Sequence, residues 1–428
     1  MRIIKILSML FLVVNVAQPQ SLNEAIQLAL DNNNIIKAVQ DESAAARQEW
    51  DALKKDALPS VSFDASYRHV TDVATINFPA TPISPARDIS LGVYDTYESS
   101  INAKYILFSG FAETEAQRVK EFEYKISKTD QLQTEKDIAY NTIEAYRNVQ
   151  FFILNIKTLN DALKRNDVQA GRVKSLLNNG MALALDTLSL SLARTNIKQQ
   201  LIRSATILDN WRQILKSLTG ADIKPQESAE NVNPHYADYS FEAQNSFQSL
   251  KFRQDMLASV ESLKKSEFYP KVFIGASLKY GKPGVDFINN EWMAYGVWNV
   301  GLSWDLWSWG ADQARVDAVK LQRSALKYRE QSLKDQLDLK YNKAERDYKS
   351  LNEQYVVAKK AVRVASEKMR IIEINAEKGQ LSVSDFNDAN LELSQAELNQ
   401  QQSLIMLNLK ANEIDYLSGQ PISNWSIN

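Results

Sequence analysis

The sequence predicts a mainly α-helical fold with a small β part, and it predicts that plan twice. Three observations carry the expectation. Residues 107–220 recur, shifted by 199 positions and without a gap, as residues 306–419. Each copy holds a very long proline-free run of helical periodicity. Ahead of each run, two short segments change to a period of two, the mark of half-covered strands.

The duplication rests on matched positions. Leu107 falls on Leu306, Ser109 on Ser308, Ala145 on Ala344 and Arg147 on Arg346. Further on, Ala162 falls on Ala361, Gly180 on Gly379, Asp186 on Asp385 and Gly220 on Gly419. A unit of this length exceeds any solenoid repeat, so it marks two structural halves. In the second copy Tyr341, Ala344, Tyr348, Leu351, Tyr355, Ala358, Val362, Ala365, Met369, Ile372 and Ala376 alternate by three and four. The same register in the first copy runs from Thr142 through Val149, Leu159 and Asn166 to Leu177. A 3.5-residue period sustained this far is a coiled-coil seam. Residues 110–178 and 310–378 are each expected to form one helix of 69 residues, roughly 100 Å long, stopped by Gly180 and Gly379.

Taken in order, the chain opens with Arg2 and Lys5, an apolar run over 6–16, and Ala17-Gln18-Pro19-Gln20. This is the pattern of a secretory signal peptide, residues 1–20, cut after Ala17 or Gln20. No later stretch is apolar enough for a membrane helix. The chain has no cysteine, which excludes disulfides and thiolate chemistry. Its net charge of −2 implies no nucleic-acid partner.

Residues 23–57 read as a helix ended by Leu58-Pro59. Val61, Phe63, Ala65 and Tyr67 then alternate with Ser62, Asp64, Ser66 and Arg68. After a loop with Pro79, Pro82 and Pro85, a second strand runs over 97–107, with Tyr97, Ile101, Tyr105 and Leu107 on one face and Glu98 and Lys104 on the other. The second copy repeats this hairpin. Val272, Ile274, Leu278 and Tyr280 oppose Lys271 and Lys279; Trp298, Val300, Leu302, Trp304 and Leu306 oppose Asn299 and Asp305.

All four strands keep their charges on one face. Export, the cluster of Trp292, Trp298, Trp304, Trp307 and Trp309, and the lack of a separate apolar layer to cover the strands favour lipid against the other face. Four strands cannot close a barrel, and an open edge in lipid is not allowed. Closure therefore needs several protomers, with dimers or trimers meeting the eight-strand minimum. The charges on the inner face are mixed: Asp64, Glu98 and Asp305 against Arg68, Lys104, Lys271 and Lys279.

The remaining segments fit by length. Residues 185–219 and 384–418 read as helices of similar length, and 242–267 as a shorter one. Residues 221–240, with Pro225 and Pro234, read as a linker or equatorial segment. The division is thus 21–220 for the first repeat, 241–419 for the second and 420–428 for a tail.

The signal peptide, the L-P-S-V-S strand, the L-F-S-G-F and L-W-S-W-G strand-to-helix junctions and the repeated plan together resemble the TolC-type outer-membrane efflux family. The likeness covers essentially the whole mature chain. It implies a homotrimer with a twelve-stranded transmembrane β-barrel in the outer membrane of a Gram-negative bacterium. Below it the duplicated coiled-coil helices would form a periplasmic α-barrel. It also implies a periplasmic adaptor protein and an inner-membrane transporter as partners, with export as the function.

Family positions transfer where residues match. Gly180 with Asp186, and Gly379 with Asp385, resemble the tip turns that dock the adaptor. Asp388, nine residues after Gly379, completes a pair with Asp385 that resembles the acidic ring of the periplasmic aperture. Leu381 stands where the family often has a basic latch residue. Asp186 reads better as a helix N-cap, where Asp is favoured.

Nothing points to an enzyme. His69 and His235 are far apart, and no nucleophile elbow, phosphate loop or H-E-x-x-H helix occurs. No cofactor is expected. The competing reading is an exported structural coiled-coil protein whose hairpins pack on its own helices.

Overall fold

The computed structural model describes residues 20–226, 231–234, 239–286, 289–378 and 382–427. The expected signal peptide before Gln20, and Gly379, Leu381 and His235, lie outside the described residues. Two compact units form, and each draws on both sequence repeats. One comprises the chain up to Gln40, Thr129–Gln248 and Gln331 onward; the other comprises Asp41–Lys128 and Ser249–Glu330.

The elements in order are α1 (Leu22–Asn32), α2 (Asn34–Asp56), β1 (Ser60–His69), β2 (Thr75–Phe78), β3 (Arg87–Ser90), β4 (Asp95–Phe108), α3 (Ala112–Asn178) and α4 (Ala184–Thr219). They continue as α5 (Asn245–Lys265), β5 (Lys271–Lys282), β6 (Met293–Ser303), α6 (Ala311–Glu377) and α7 (Val383–Leu417). The long helices α3 and α6 have 67 residues each, two fewer than expected. Every seam position expected on them is buried or half-buried, while the residues between are mostly exposed on α6.

The helical unit packs around α3. Ala139, Ile143, Tyr146 and Val149 form one stripe against Leu22, Ala25 and Ile26 of α1 and Leu208 and Leu215 of α4. The tail folds back into the same core through Trp425 and Ile427. Ser426 N donates to Asp415 Oδ2 at 2.7 Å, and Asn412 Nδ2 donates to Ser426 O at 2.7 Å. The segment between the repeats also lies on this unit. Gln226 N donates to Tyr146 Oη, and Val232 N donates to Asn408 Oδ1 at 2.9 Å.

The single helix expected over 23–57 is two. Asn33 leaves the helical region at φ −66° and ψ 125°. Its side chain and that of Asn32 donate to Leu218 O and Thr219 O, satisfying carbonyls at the end of α4 that no intrahelical N–H reaches. The chain breaks one helix to cap another.

The second unit carries a four-stranded antiparallel sheet in the order β1-β4-β5-β6. β4 of the first repeat pairs with β5 of the second, leaving β1 and β6 as edges. The proline-bearing loop expected after β1 contains a further small hairpin, with β2 paired to β3. A bulge between Ile106 and Phe108 interrupts the expected alternation, and Phe108 rather than Leu107 stands opposite Val272. Such a bulge bends the strand at the end of the sheet.

Each strand meets its helix in a left-handed pair of residues. Gly110 and Phe111 have φ 66° and 71°; Trp309 and Gly310 have φ 56° and 81°. The pairs are related by the repeat, yet glycine occupies the first place in one copy and the second in the other.

Candidate channel wall and tip

Register decides which side chains share a face. Across the sheet, Phe63 stands opposite Ile101, Ile101 opposite Leu278, and Leu278 opposite Gly296. Val61, Ala103, Ala276 and Trp298 form the next row on that face. The alternate rows are polar: Asp64, Ser100, Lys279 and Tyr295, then Ser62, Asn102, Ser277 and Val297. On the polar face Lys279 pairs with Glu98 at 2.9 Å, and Asn102 donates to Asp64 at 2.7 Å.

The exposures run opposite to those of a water-soluble sheet. Trp298 is 78% exposed, Phe63 69% and Leu278 68%, while Ser100 on the polar face is 7% exposed. A contiguous apolar sheet face left open is an interaction surface. Among the described residues no helix is long and apolar enough to cross a membrane.

Aromatic rings bound this face at both ends. At the loop end Tyr67, Tyr97, Trp292 and Tyr280 form a continuous row, with neighbouring centroids 5.0, 5.9 and 5.0 Å apart. At the helix end Phe108, Phe111 and Tyr269 meet edge to face, and Trp307 meets Trp309. Trp304 Nε1 donates to Phe268 O at 3.2 Å. Trp298 does not join either row: it stands mid-strand opposite Ala276. From sequence the tyrosines of the loop-end row were placed on the apolar face but not in a girdle.

The tip of the first repeat is a Schellman turn. Gly180 has φ 71°, its N–H donates to Leu177 O at 2.9 Å, and Met181 N donates to Leu176 O at 2.8 Å. Asp186 then closes the start of α4 by accepting the Leu183 N–H at 3.0 Å. In the second repeat Ser382 performs the capping, its hydroxyl accepting the Ser384 N–H at 3.2 Å. Asp385 and Asp388 are exposed and make no hydrogen bond or ion pair among the described residues. Val383, Phe386 and Ala389 turn inward from the same helix onto Val173, Leu190 and Met369.

Above the tip, α3 and α7 are joined by polar contacts. Arg165 Nε donates to Asn390 Oδ1 at 2.7 Å and its Nη2 to Ser394 Oγ at 3.3 Å. Asn390 Nδ2 donates to Ala162 O, and Gln401 Nε2 to Thr158 Oγ1 at 2.9 Å. Burial beside this seam pushes the Glu397 carboxyl above its ordinary value; Arg165 opposes that shift and Asp161 adds to it. Among the described residues no cluster of three or more His, Asp or Glu side chains is placed to hold a metal.

The family model described as Outer membrane efflux protein matches residues 25–222. The match spans a little under half of the chain and makes that part similar to this family. That family is one of outer-membrane efflux channels rather than enzymes. Among solved structures it is similar to the CmeC outer membrane channel of Campylobacter jejuni, with TM-score 0.78 and 16% identity over 95% of this chain and 86% of that one. It is also similar to the MtrE outer membrane channel of Neisseria gonorrhoeae, with TM-score 0.75 and 14% identity over 94% and 90%. The outer membrane protein VceC of Vibrio cholerae gives TM-score 0.73 and 15% identity over 93% and 96%. At these identities the likeness establishes the fold. No curated protein sequence matches the chain. The matched family region stops near the end of the first repeat, whereas the structural likeness runs through both.

Proposed function

We propose that this protein is an efflux channel, the outer-membrane exit of a tripartite export system fed by an inner-membrane transporter through a periplasmic adaptor protein. The observation that carries the reading is the sheet: four strands, two unpaired edges, an open apolar face and a hydrogen-bonded polar face. Unpaired edges in lipid require partners of the same kind. Three copies supply a barrel of twelve strands, with the apolar face toward lipid and the mixed charges toward the lumen.

The aromatic rows support the placement. Tyr269 and Tyr280 lie eleven residues apart on β5 and its lead-in, about 36 Å along an extended strand. At a tilt of roughly 40° this spans about 28 Å across the bilayer, close to the ~25 Å band of such barrels. Trp292 belongs to one girdle, Trp304 and Trp307 to the other, and Trp298 to the hydrocarbon band between them.

The tips are the adaptor-docking end in this reading, with Gly180 holding the turn of the first repeat. Asp385 and Asp388 are three residues apart at a helix start and so share a face. Three copies place six carboxylates around one axis, where repulsion is relieved by a multivalent cation. Asp186 is a helix cap and takes no part in that ring.

The test is recovery and mass. The protein is expected to need detergent for release from the outer-membrane fraction and to weigh three chains in it. A monomer released without detergent would refute the shared barrel.

A further inference from the structure

We infer that Lys104, Gly275 and Asn299 form a subsite for small multivalent anions on the polar face of the sheet. The inference rests on the channel reading above, in which that face lines the lumen, and adds a chemical preference to it.

The charges on the polar face differ in how they are satisfied. Glu98 is neutralised by Lys279 at 2.9 Å, and Lys271 lies 3.7 Å from Glu267. Asp64 accepts from Ser62 Oγ at 3.2 Å and from Asn102 Nδ2 at 2.7 Å. Arg68 stands opposite Thr96, one row from Glu98. Lys104 has no such neighbour. It is exposed, and its ammonium makes no ion pair or hydrogen bond among the described residues.

Register shows how isolated that charge is. Its own row is Ser60, Lys104, Gly275 and Asn299. The row on one side is Ser62, Asn102, Ser277 and Val297; the row on the other is Ile106, Phe273 and Gly301. None of these residues is acidic. Asp64 stands two rows away, about 14 Å along the sheet. That exceeds the roughly 8 Å over which exposed charges act on one another at physiological salt.

Gly275 shapes the place. It lies between Lys104 on β4 and Asn299 on β6. Glycine weakens a strand interior, so one here marks a close approach. A Cβ at Gly275 would lie 2.6 Å from Asn299 Oδ1 and 3.7 Å from its Nδ2. The Asn299 amide therefore leans across β5, toward the strand that carries Lys104. This side chain is exposed and makes no hydrogen bond among the described residues.

An ammonium and an amide thus face water in one row, across the gap left by a glycine. Both carry N–H donors. The ammonium attracts an oxyanion and forms the stronger, charge-assisted bond, and the amide adds a directed one. Three copies repeat the subsite three times around the lumen, which raises the local concentration of anions there.

Single-channel recording in a planar bilayer tests the subsite, with inorganic pyrophosphate added on the outer side at low salt. Wild type is expected to show blocked intervals that become more frequent with pyrophosphate and rarer with added potassium chloride. Lys104→Gln is expected to raise the half-blocking concentration roughly tenfold, the worth of one hydrogen bond to a charged group. Lys104→Arg is expected to retain the block. Gly275→Ala keeps the charge but displaces the amide, and is expected to raise the half-blocking concentration about threefold. The unblocked conductance of each variant verifies that it has assembled. Absence of block in wild type, or equal block in wild type, Lys104→Gln and Gly275→Ala, overturns the subsite and leaves the channel standing. A wild-type protein that gives no conductance overturns the channel reading and the subsite with it.

Discussion

Asp186 and Leu183 close the first tip on themselves: the carboxylate accepts the backbone N–H three residues earlier at 3.0 Å. At the related place in the second repeat Ser382 supplies the cap, and Asp385 is left with its carboxylate free among the described residues. The repeat has thus divided two roles that one aspartate type can fill. Asp186→Ala is expected to destabilise the protein by about 1 kcal/mol through loss of its hydrogen bond to the Leu183 N–H, read by thermal denaturation. Block of single-channel current by cobalt or a trivalent ammine complex, added on the periplasmic side of a planar bilayer, is expected to persist in that variant. Asp385→Ala with Asp388→Ala is expected to abolish the block with little loss of stability. Equal block in wild type and the double variant would place the constriction elsewhere.

The strand-to-helix junctions yield a second contrast. A Cβ at Gly110 would lie 2.8 Å from Ser266 O and 2.9 Å from Tyr269 Cβ, while at Gly310 nothing lies within 4 Å. Both positions are left-handed, which costs a residue with a side chain roughly 1–2 kcal/mol. Gly310→Ala is expected to lose about that much. Gly110→Ala is expected to lose more, because the carbonyl is backbone and cannot turn aside. The melting temperature of the detergent-solubilised protein ranks them, and equal losses would show that the contact at Gly110 relaxes freely.

Glu397 makes stability depend on pH. Burial raises its folded pKa above the unfolded value, so its contribution is most favourable below the unfolded pKa and is lost as pH rises through the folded one. Glu397→Gln keeps the shape without the charge. That variant is expected to melt higher than wild type at pH 7 and to lose this advantage as pH falls toward 4. An advantage independent of pH would show that burial does not raise the carboxyl's pKa.

The long helices were legible because nothing interrupts them. Proline is absent, the seam holds its period over eleven positions, and the second copy repeats the first. The faces of the sheet were legible for a related reason, since a period of two assigns every residue to one side. What escaped was decided by contacts distant in sequence. The helix breaks at Asn33, which reaches Leu218 while Asn32 reaches Thr219, although three consecutive asparagines at 32–34 are a turn signal in themselves. The bulge at Leu107 arises from pairing with the second repeat, which lies more than 160 residues away. The small hairpin of β2 and β3 was hidden by the prolines beside it. At the tips, the place of Asp186 at a helix start was legible, whereas the Leu183 N–H as its partner was not.

In the proposed channel one face of this sheet meets lipid and the other meets water. Trp298 and Asn299 are adjacent, on opposite faces of an edge strand, and both are exposed. A soluble sheet would leave both wet. Each is changed singly to cysteine in the otherwise cysteine-free chain, and the reconstituted protein is treated with a charged, water-soluble methanethiosulfonate. Asn299→Cys is expected to be modified rapidly and Trp298→Cys to be protected until detergent is added. Equal modification of the two, or protection at 299 and reaction at 298, would contradict the account.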